Sequence, residues 1–218
     1  MFDISYLVNQ VIPMVIPLLL GVTLHEVAHG YTAYRFGDPT ARNAGRLSLN
    51  PVRHADPFGT VILPLLLILM KSPFLFGWAK PVPFNPSYFQ DARKGIFWVA
   101  LAGPTANFGL ALAFYLLLQF LVVMQPVLDA GNSGYLQPVI MVAYFGIFIN
   151  IILGIFNLFP IPPLDGSKVL ATFLPGRMAG QYMQLEKYGF IIIILLLFLG
   201  VFQAVFGYVI NFVNSLLF

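Results

Sequence analysis

Long apolar stretches alternate with short polar ones along the chain. The apolar stretches run over residues 4–36, 96–124, 138–159 and 188–217, and each exceeds the roughly 20 residues that cross a bilayer as a helix. Residues 58–70 are also apolar, but they are too few for a span and prolines follow them, so we predict a re-entrant or interfacial element there. The pattern therefore predicts about four full spans.

Two connecting segments have the features of short β-strands. Residues 45–50 alternate polar and apolar side chains, as a half-buried strand does. Residues 78–84 read as extended chain, and their prolines would restrict them to a sheet edge. We accordingly expect an all-α polytopic membrane bundle of about four full spans, with a re-entrant or interfacial element and short β-strands.

The composition agrees with a membrane protein. Hydrophobic residues make up 59% of the chain and charged residues 9%, whereas soluble domains are about half apolar and about a quarter charged. The net charge of +3 is scattered through connecting segments, which suits cytoplasmic loops facing a lipid bilayer and gives no surface for nucleic acid. For this length, one domain over residues 1–218 is the simplest expectation.

The chain contains no cysteine, so any metal must be held by histidine or carboxylate side chains. His25, Glu26 and His29 form a His-Glu-x-x-His motif near the end of the first apolar stretch. Residues i and i+4 share a helix face, so both imidazoles can bind one cation with the glutamate beside them. Such a motif also arises by chance, but each ionisable group inside a span costs at least about 2.5 kcal/mol and by default marks a function.

A catalytic zinc needs a third protein ligand, and Asp165 is the strongest candidate. It follows an apolar helix across a proline-broken stretch, where backbone without regular structure is tolerated only if it is buried or lines a cavity. The alternative is that Asp165 caps the next helix. Asp38 and Asp56 lie beside prolines and are interpreted as turn formers, and His54 is expected to be exposed.

A meeting of Asp165 with the two histidines constrains the topology. Arginines follow the first span, so that span ends on the cytoplasmic side. The helix before Asp165 must then run in the same direction, and residues 58–84 cannot be a full span. We therefore expect the metal towards the cytoplasmic side.

Three motifs occur in order along the chain: His25-Glu26-x-x-His29, Gly103-Pro104-x-x-Asn107 and Asn157-x-x-Pro160-x-Pro162-Pro163-Leu164-Asp165-Gly166. With them the sequence resembles the site-2 protease family of intramembrane zinc metalloproteases, and within it the short prokaryotic subgroup without PDZ or CBS domains. The first and third motifs are highly specific in this order, whereas the middle one alone is weak. Ser167 stands where the family usually has a second glycine, which removes no ligand.

The resemblance implies a role for each motif residue. His25, His29 and Asp165 would hold one Zn²⁺ per chain, and Glu26 would be the general base that takes a proton from a water molecule activated by the metal. Two amides match positions that the family places beside the active site, where they could bind the substrate strand or the oxyanion. These are Asn107 and Asn157, and their alternative role is interhelical hydrogen bonding.

The implied function is hydrolysis of peptide bonds within or near transmembrane segments. The substrates would be single-span proteins of the cell membrane, cut near the cytoplasmic side. A membrane transporter of metal or solute is the main alternative, because intramembrane histidine and aspartate also mark ion pathways. A further alternative is an inactive homologue that binds membrane proteins without cutting them.

Overall fold

The computed structural model describes residues 11–62, 66, 69–70, 77–128 and 136–217 of the 218-residue chain. Nearly all of the regular structure in this part is helical, which confirms the predicted all-α class. The helices are α1 (Ile12–Arg35), α2 (Thr40–Asn43), α3 (Ala92–Leu128), α4 (Gln137–Leu158), α5 (Asp165–Phe173), α6 (Gly176–Met183), α7 (Glu186–Phe198) and α8 (Val201–Leu217). Single 3₁₀ turns cover Pro51–Arg53 and Pro86–Tyr88, and a π-helical segment covers Pro57–Ile62.

Three helices, α1, α3 and α4, are long and apolar enough to cross a membrane. A fourth crossing exists only if α6 and α7, which are bent by 61° at a short break, count together as one span. The prediction of a multi-pass bundle is confirmed, whereas the prediction of four full spans is not.

The last apolar stretch is not the single helix that its hydropathy predicts. α7 ends at Phe198 and α8 begins at Val201, with Gly200 between them at φ 75°. This left-handed conformation cannot be part of a right-handed helix, and glycine adopts it without a steric penalty. One continuous span over residues 188–217 was therefore a wrong expectation.

The predicted strands are not confirmed either. In the described part of the chain, β-pairing is limited to one isolated antiparallel bridge between Ala55 and Ala79, and residues 45–50 form no strand. We call residues 77–85 the proline-rich segment. Pro81 and Pro83 lack the N–H that a ladder needs, which is a reason for this segment to remain without a regular partner. Most of the predicted re-entrant element beyond Ile62 lies outside the described residues.

The core lies where α3 and α4 pack along each other and α1 packs against both. Phe114 and Leu118 of α3 meet Ile147 and Phe148 of α4 in a buried apolar cluster. Gly154 of α4 permits close approach here, because a Cβ at that position would lie 2.9 Å from the Phe108 ring. This packing fixes the positions of the polar residues that the same three helices carry inward.

The polar loop after α1 is anchored by buried side chains. Asp38 is fully buried, and its carboxylate accepts hydrogen bonds from the backbone N–H of Thr40 at 2.9 Å and from the backbone N–H of Asn85 at 2.5 Å. It therefore forms the predicted turn and also holds the end of the proline-rich segment. His54 is only 1% exposed, with Nε2 2.7 Å from the Ser48 carbonyl, so its predicted exposure was wrong.

Candidate metal centre

His25 and His29 lie one turn apart on the face of α1 that is directed into the bundle. Each residue is 8% exposed. Their Nε2 atoms are 3.0 Å apart, and the two rings meet edge to face. The local i, i+4 spacing thus brings both imidazoles to one point, as the motif predicted.

Asp165 reaches the same point from a different part of the chain. α4 ends at Leu158, because the prolines that follow cannot continue a helix. The chain turns and α5 begins at Asp165, whose Oδ2 lies 3.2 Å from Nε2 of His25 and 3.0 Å from Nε2 of His29. The residue preceding α5 is Leu164, so Asp165 faces the histidines from inside the first turn and is not the capping residue.

The other nitrogen of each imidazole has a hydrogen-bond acceptor. Nδ1 of His29 donates to the Val99 carbonyl at 2.6 Å, and Nδ1 of His25 donates to Oδ1 of Asn107 at 2.7 Å. Histidines that bind metals commonly donate their second ring N–H in this way, which leaves the lone pair on the other nitrogen free. Here both lone pairs point at Asp165 and at each other, an arrangement that a cation between them would stabilise.

The separations fit a zinc ion. Tetrahedral ligands that bind zinc at about 2.0–2.1 Å lie about 3.3 Å from one another, and the ligand atoms here are 3.0 to 3.2 Å apart. Two imidazoles and one carboxylate are ligands typical of catalytic zinc, which keeps a fourth position open. Among the described residues, His25, His29 and Asp165 are the only group of three possible metal ligands.

The second oxygen of Asp165 is held by Lys168. Its Nζ lies 2.9 Å from Oδ1, one turn along α5. This ion pair favours the ionised form of the Asp165 carboxyl. The ionised carboxylate is the form in which this side chain can bind a metal.

Glu26 lies next to His25 on α1 and is half-buried. Its Oε2 accepts a hydrogen bond from the backbone N–H of Val82, at 2.8 Å. The proline-rich segment thus passes over the site at the position of this carboxylate. Glu26 belongs to the same end of the bundle as the three candidate ligands without being one of them.

Gly103 gives α3 its close approach to the histidines. A Cβ at this position would lie 2.6 Å from Cε1 and 2.7 Å from Nε2 of His25, and it would also collide with Nε2 of His29. The backbone of α3 therefore forms one wall of the site. The sequence singled out Gly103 as a small residue in a motif, without indicating this contact.

The two asparagines from the motifs have different surroundings. Asn107 is fully buried and binds His25 from across the bundle. Asn157 is half-buried and donates to the Leu153 carbonyl one turn earlier in α4, at 3.0 Å. The catalytic roles of both residues remain predictions. The sequence reasoning did not identify Asn150, Lys168 or Val82, because their contacts depend on how distant segments pack.

A buried His₂Asp cluster beside a glutamate in a helical membrane bundle has the ligand set of a catalytic zinc site. The sequence profile of peptidase family M50 matches residues 13–201. The chain therefore belongs to peptidase family M50, the site-2 protease family, as the motifs predicted. No solved structure matches the chain.

Relatives from bacteria and archaea carry names that agree with this assignment. The chain is 41% identical over 186 residues to "Putative zinc metalloprotease YwhC" of Bacillus subtilis, covering 84% of this chain and 78% of the relative. It is 40% identical over 172 residues to "Putative zinc metalloprotease MJ0611" of Methanocaldococcus jannaschii, covering 78% and 76%. For "Putative zinc metalloprotease Rip2" of Mycolicibacterium smegmatis the identity is 32% over 179 residues, covering 82% and 64%. The chain is thus a metalloprotease homologue of the zinc type.

Proposed function

We propose that this protein is an intramembrane zinc metalloprotease that hydrolyses peptide bonds within or near transmembrane segments of single-span membrane proteins. The observation that carries the proposal is the meeting of three buried ligand atoms inside an apolar bundle, Nε2 of His25, Nε2 of His29 and Oδ2 of Asp165. Ionisable side chains inside an apolar bundle are energetically costly, and by default they mark a functional site. Membership of peptidase family M50 supports peptide hydrolysis as that function.

His25, His29 and Asp165 would hold one zinc ion per chain. When bound, zinc would supply Lewis-acid activation of the scissile carbonyl and of a water molecule at neutral pH. Glu26 would take the proton from the attacking water and transfer it to the leaving amine. A general base must lie within hydrogen-bond reach of the proton that it removes, and the place of Glu26 beside His25 on α1 supports this role.

A substrate helix must unwind before cleavage, because its carbonyls are engaged in its own hydrogen bonds. The proline-rich segment could bind the unwound chain. The amides of Trp78, Lys80 and Val82 already donate to Gly59 O, to His54 O and to Glu26. The opposite edge of this segment includes Pro81 and Pro83, which supply carbonyls but no N–H groups. We therefore propose that a substrate pairs with this edge mainly through its own N–H groups.

We place the site towards the cytoplasmic side of the cell membrane. Arg35 ends α1, and further arginines follow in the loop that contacts the site end of this helix. Excess basic residues in a short connecting loop favour the cytoplasmic side. The lipid bilayer and the single-span substrates are then the partners of this protein.

Substitution of Glu26 tests the proposal most directly. We expect Glu26→Gln to retain one zinc per chain and to lose cleavage of a panel of single-span substrates in detergent, measured by metal analysis and by gel or mass spectrometry. Glu186→Gln is the matched control, since Glu186 lies in the first turn of α7 and is exposed. Variants in which a ligand histidine is replaced, such as His25→Ala, should lose both zinc binding and cleavage.

Two results would contradict the proposal. Cleavage retained by Glu26→Gln would exclude this glutamate as the base. Zinc flux across liposomes that is lost with His25→Ala, together with no cleavage by the wild type, would instead identify a transporter.

A further inference from the structure

Asn150 occupies a fully buried position in the middle of α4, and no motif includes it. We propose that Asn150 is a positioning residue, which acts through Asn107 to fix the ring orientation and the tautomer of His25. The inference rests on the proposed zinc site. It goes beyond that proposal because it identifies the hydrogen bonds that keep His25 in the tautomer able to bind a metal.

Both hydrogens of the Asn107 side-chain amide are donated to groups other than His25. Nδ2 of Asn107 donates to the Gly21 carbonyl at 3.2 Å and to Oδ1 of Asn150 at 3.0 Å. An amide nitrogen has two hydrogens and no acceptor capacity. With both hydrogens engaged, only Oδ1 of Asn107 is left to face His25.

The orientation of Asn150 is fixed in the same manner. Its Nδ2 donates to the Gly146 carbonyl one turn earlier in α4, at 2.9 Å. Its Oδ1 therefore points towards Asn107. A flipped Asn150 would bring two NH₂ groups together where both side chains are fully buried, at the cost of unsatisfied donors.

These two fixed amides determine the tautomer of His25, a candidate metal ligand. Because Oδ1 of Asn107 can only accept, Nδ1 of His25 must carry the proton, and its lone pair is on Nε2, the atom that faces Asp165. Without the acceptor on Asn150, Asn107 could rotate and present its NH₂ group to Nδ1. That contact would favour the proton on Nε2, the form that cannot bind a metal through this atom.

The close packing of α1 and α4 confines Asn150. A Cβ on Gly21 would overlap Oδ1 of Asn150 and would lie 3.1 Å from Cδ1 of Leu153. The amide therefore fills a site shaped to its size. Substitutions that test its chemistry must match this volume.

Three substitutions separate hydrogen bonding from packing. Asn150→Leu has a similar shape and removes the acceptor. Asn150→Asp, protonated at this buried position, keeps an acceptor towards Asn107 and a donor towards the Gly146 carbonyl. Asn150→Ala serves if the leucine variant does not fold. Asn214→Ala in α8 is the control, since Asn214 accepts a long hydrogen bond from the Tyr144 hydroxyl, at 3.4 Å, and lies outside the hydrogen-bond chain to His25.

The measurement is the zinc dissociation constant of the full-length protein in detergent, from competition with a chelator. We expect Asn150→Leu to weaken zinc binding about 10- to 100-fold, as the loss of partners behind a ligand commonly does. Asn150→Asp should recover most of this loss, and Asn214→Ala should bind as the wild type does. The ¹⁵N imidazole shifts of the metal-free protein should show a smaller Nδ1–H population at His25 in the leucine variant.

Zinc binding by Asn150→Leu or Asn150→Ala as tight as the wild type would overturn the inference. Equal losses in the aspartate and leucine variants would also overturn it, because the effect would then come from packing. A wild-type protein that binds zinc but cuts no peptide would overturn only the proposed function. A wild-type protein that binds no zinc would overturn both.

Discussion

The backbone N–H of Val82 donates a 2.8 Å hydrogen bond to the carboxylate of Glu26, across 56 positions of the chain. This bond connects the proline-rich segment to the proposed general base. It also limits the directions that the carboxylate can take. Hydrogen bonds to charged groups contribute about 1.5–3 kcal/mol, enough to hold the side chain in one orientation.

Removal of this N–H should slow cleavage while zinc stays bound. Val82→Pro deletes the donor in a stretch that already has proline on either side, and we expect a rate reduction of about 10-fold or more from a loss of this size. Val82→Ala keeps the N–H and removes the two buried methyl groups of the valine, so it should cleave faster than the proline variant. The measurement is the initial cleavage rate of one substrate at matched zinc content. Equal rates for the two variants would show that the bond does not position the base.

Gly103→Ala should abolish or strongly weaken zinc binding without unfolding the bundle. The added methyl group would lie 2.6 to 2.7 Å from atoms of the His25 ring, so the imidazole would have to leave its position. We expect at least about a 10-fold weaker zinc affinity, in the range seen when a ligand is misoriented.

Gly109→Ala is the control for Gly103→Ala, because the same methyl group added at Gly109, further along α3, meets nothing within 4 Å. The chelator competition assay compares the two proteins, and circular dichroism verifies that both remain helical. Unchanged zinc affinity in Gly103→Ala would mean that α3 is further from α1 than described.

Lys168→Met should weaken zinc binding by releasing Oδ1 of Asp165. The ammonium now binds that oxygen at 2.9 Å and leaves Oδ2 facing the histidines. Loss of such a partner commonly costs about 10- to 100-fold in metal affinity, and Lys168→Arg should restore part of it. Lys187→Met, in the exposed first turn of α7, should have no effect. The expectation fails if the zinc affinities of Lys168→Met and Lys187→Met agree.

Asp38→Asn should destabilise the loop that anchors the proline-rich segment. Asp38 is fully buried, and one of its oxygens accepts from the Asn85 amide. An asparagine would present either an NH₂ group to a donor or a weaker neutral acceptor, at a cost of about 1.5–3 kcal/mol. The thermal midpoint in detergent measures the change, with Asp91→Asn as the exposed control. Equal midpoints for the two variants would contradict the anchoring role.

The sequence predicted the centre of the site better than its surroundings. His25, Glu26 and His29 lie within two turns of one helix, so helical periodicity alone places them together. Asp165 became a candidate because aspartate after a proline-broken membrane helix is unusual. The structure brings its carboxylate to the two imidazoles, as that reasoning required.

The hydrogen-bond partners of these residues could not be predicted from local sequence patterns. Asn107 and Asn150 meet only because α3 and α4 pack in one particular register, and hydropathy does not determine register. His54 and Asp38 have polar neighbours in sequence, yet tertiary contacts bury both. The break at Gly200 lies within a continuous apolar run, where a glycine is also compatible with an unbroken helix.

The wall that Gly103 provides makes the site sensitive to the alignment of two helices. A one-residue change of register, in which α3 moves about 1.5 Å along its axis and rotates by about 100°, would put Ala102 or Pro104 in place of Gly103. A Cβ at that place would overlap the imidazoles. The site can therefore accept a metal in one alignment of the bundle and not in the neighbouring ones. Retention of zinc would therefore report the correct alignment of α1 and α3 in the membrane, since only correctly aligned chains could bind the ion.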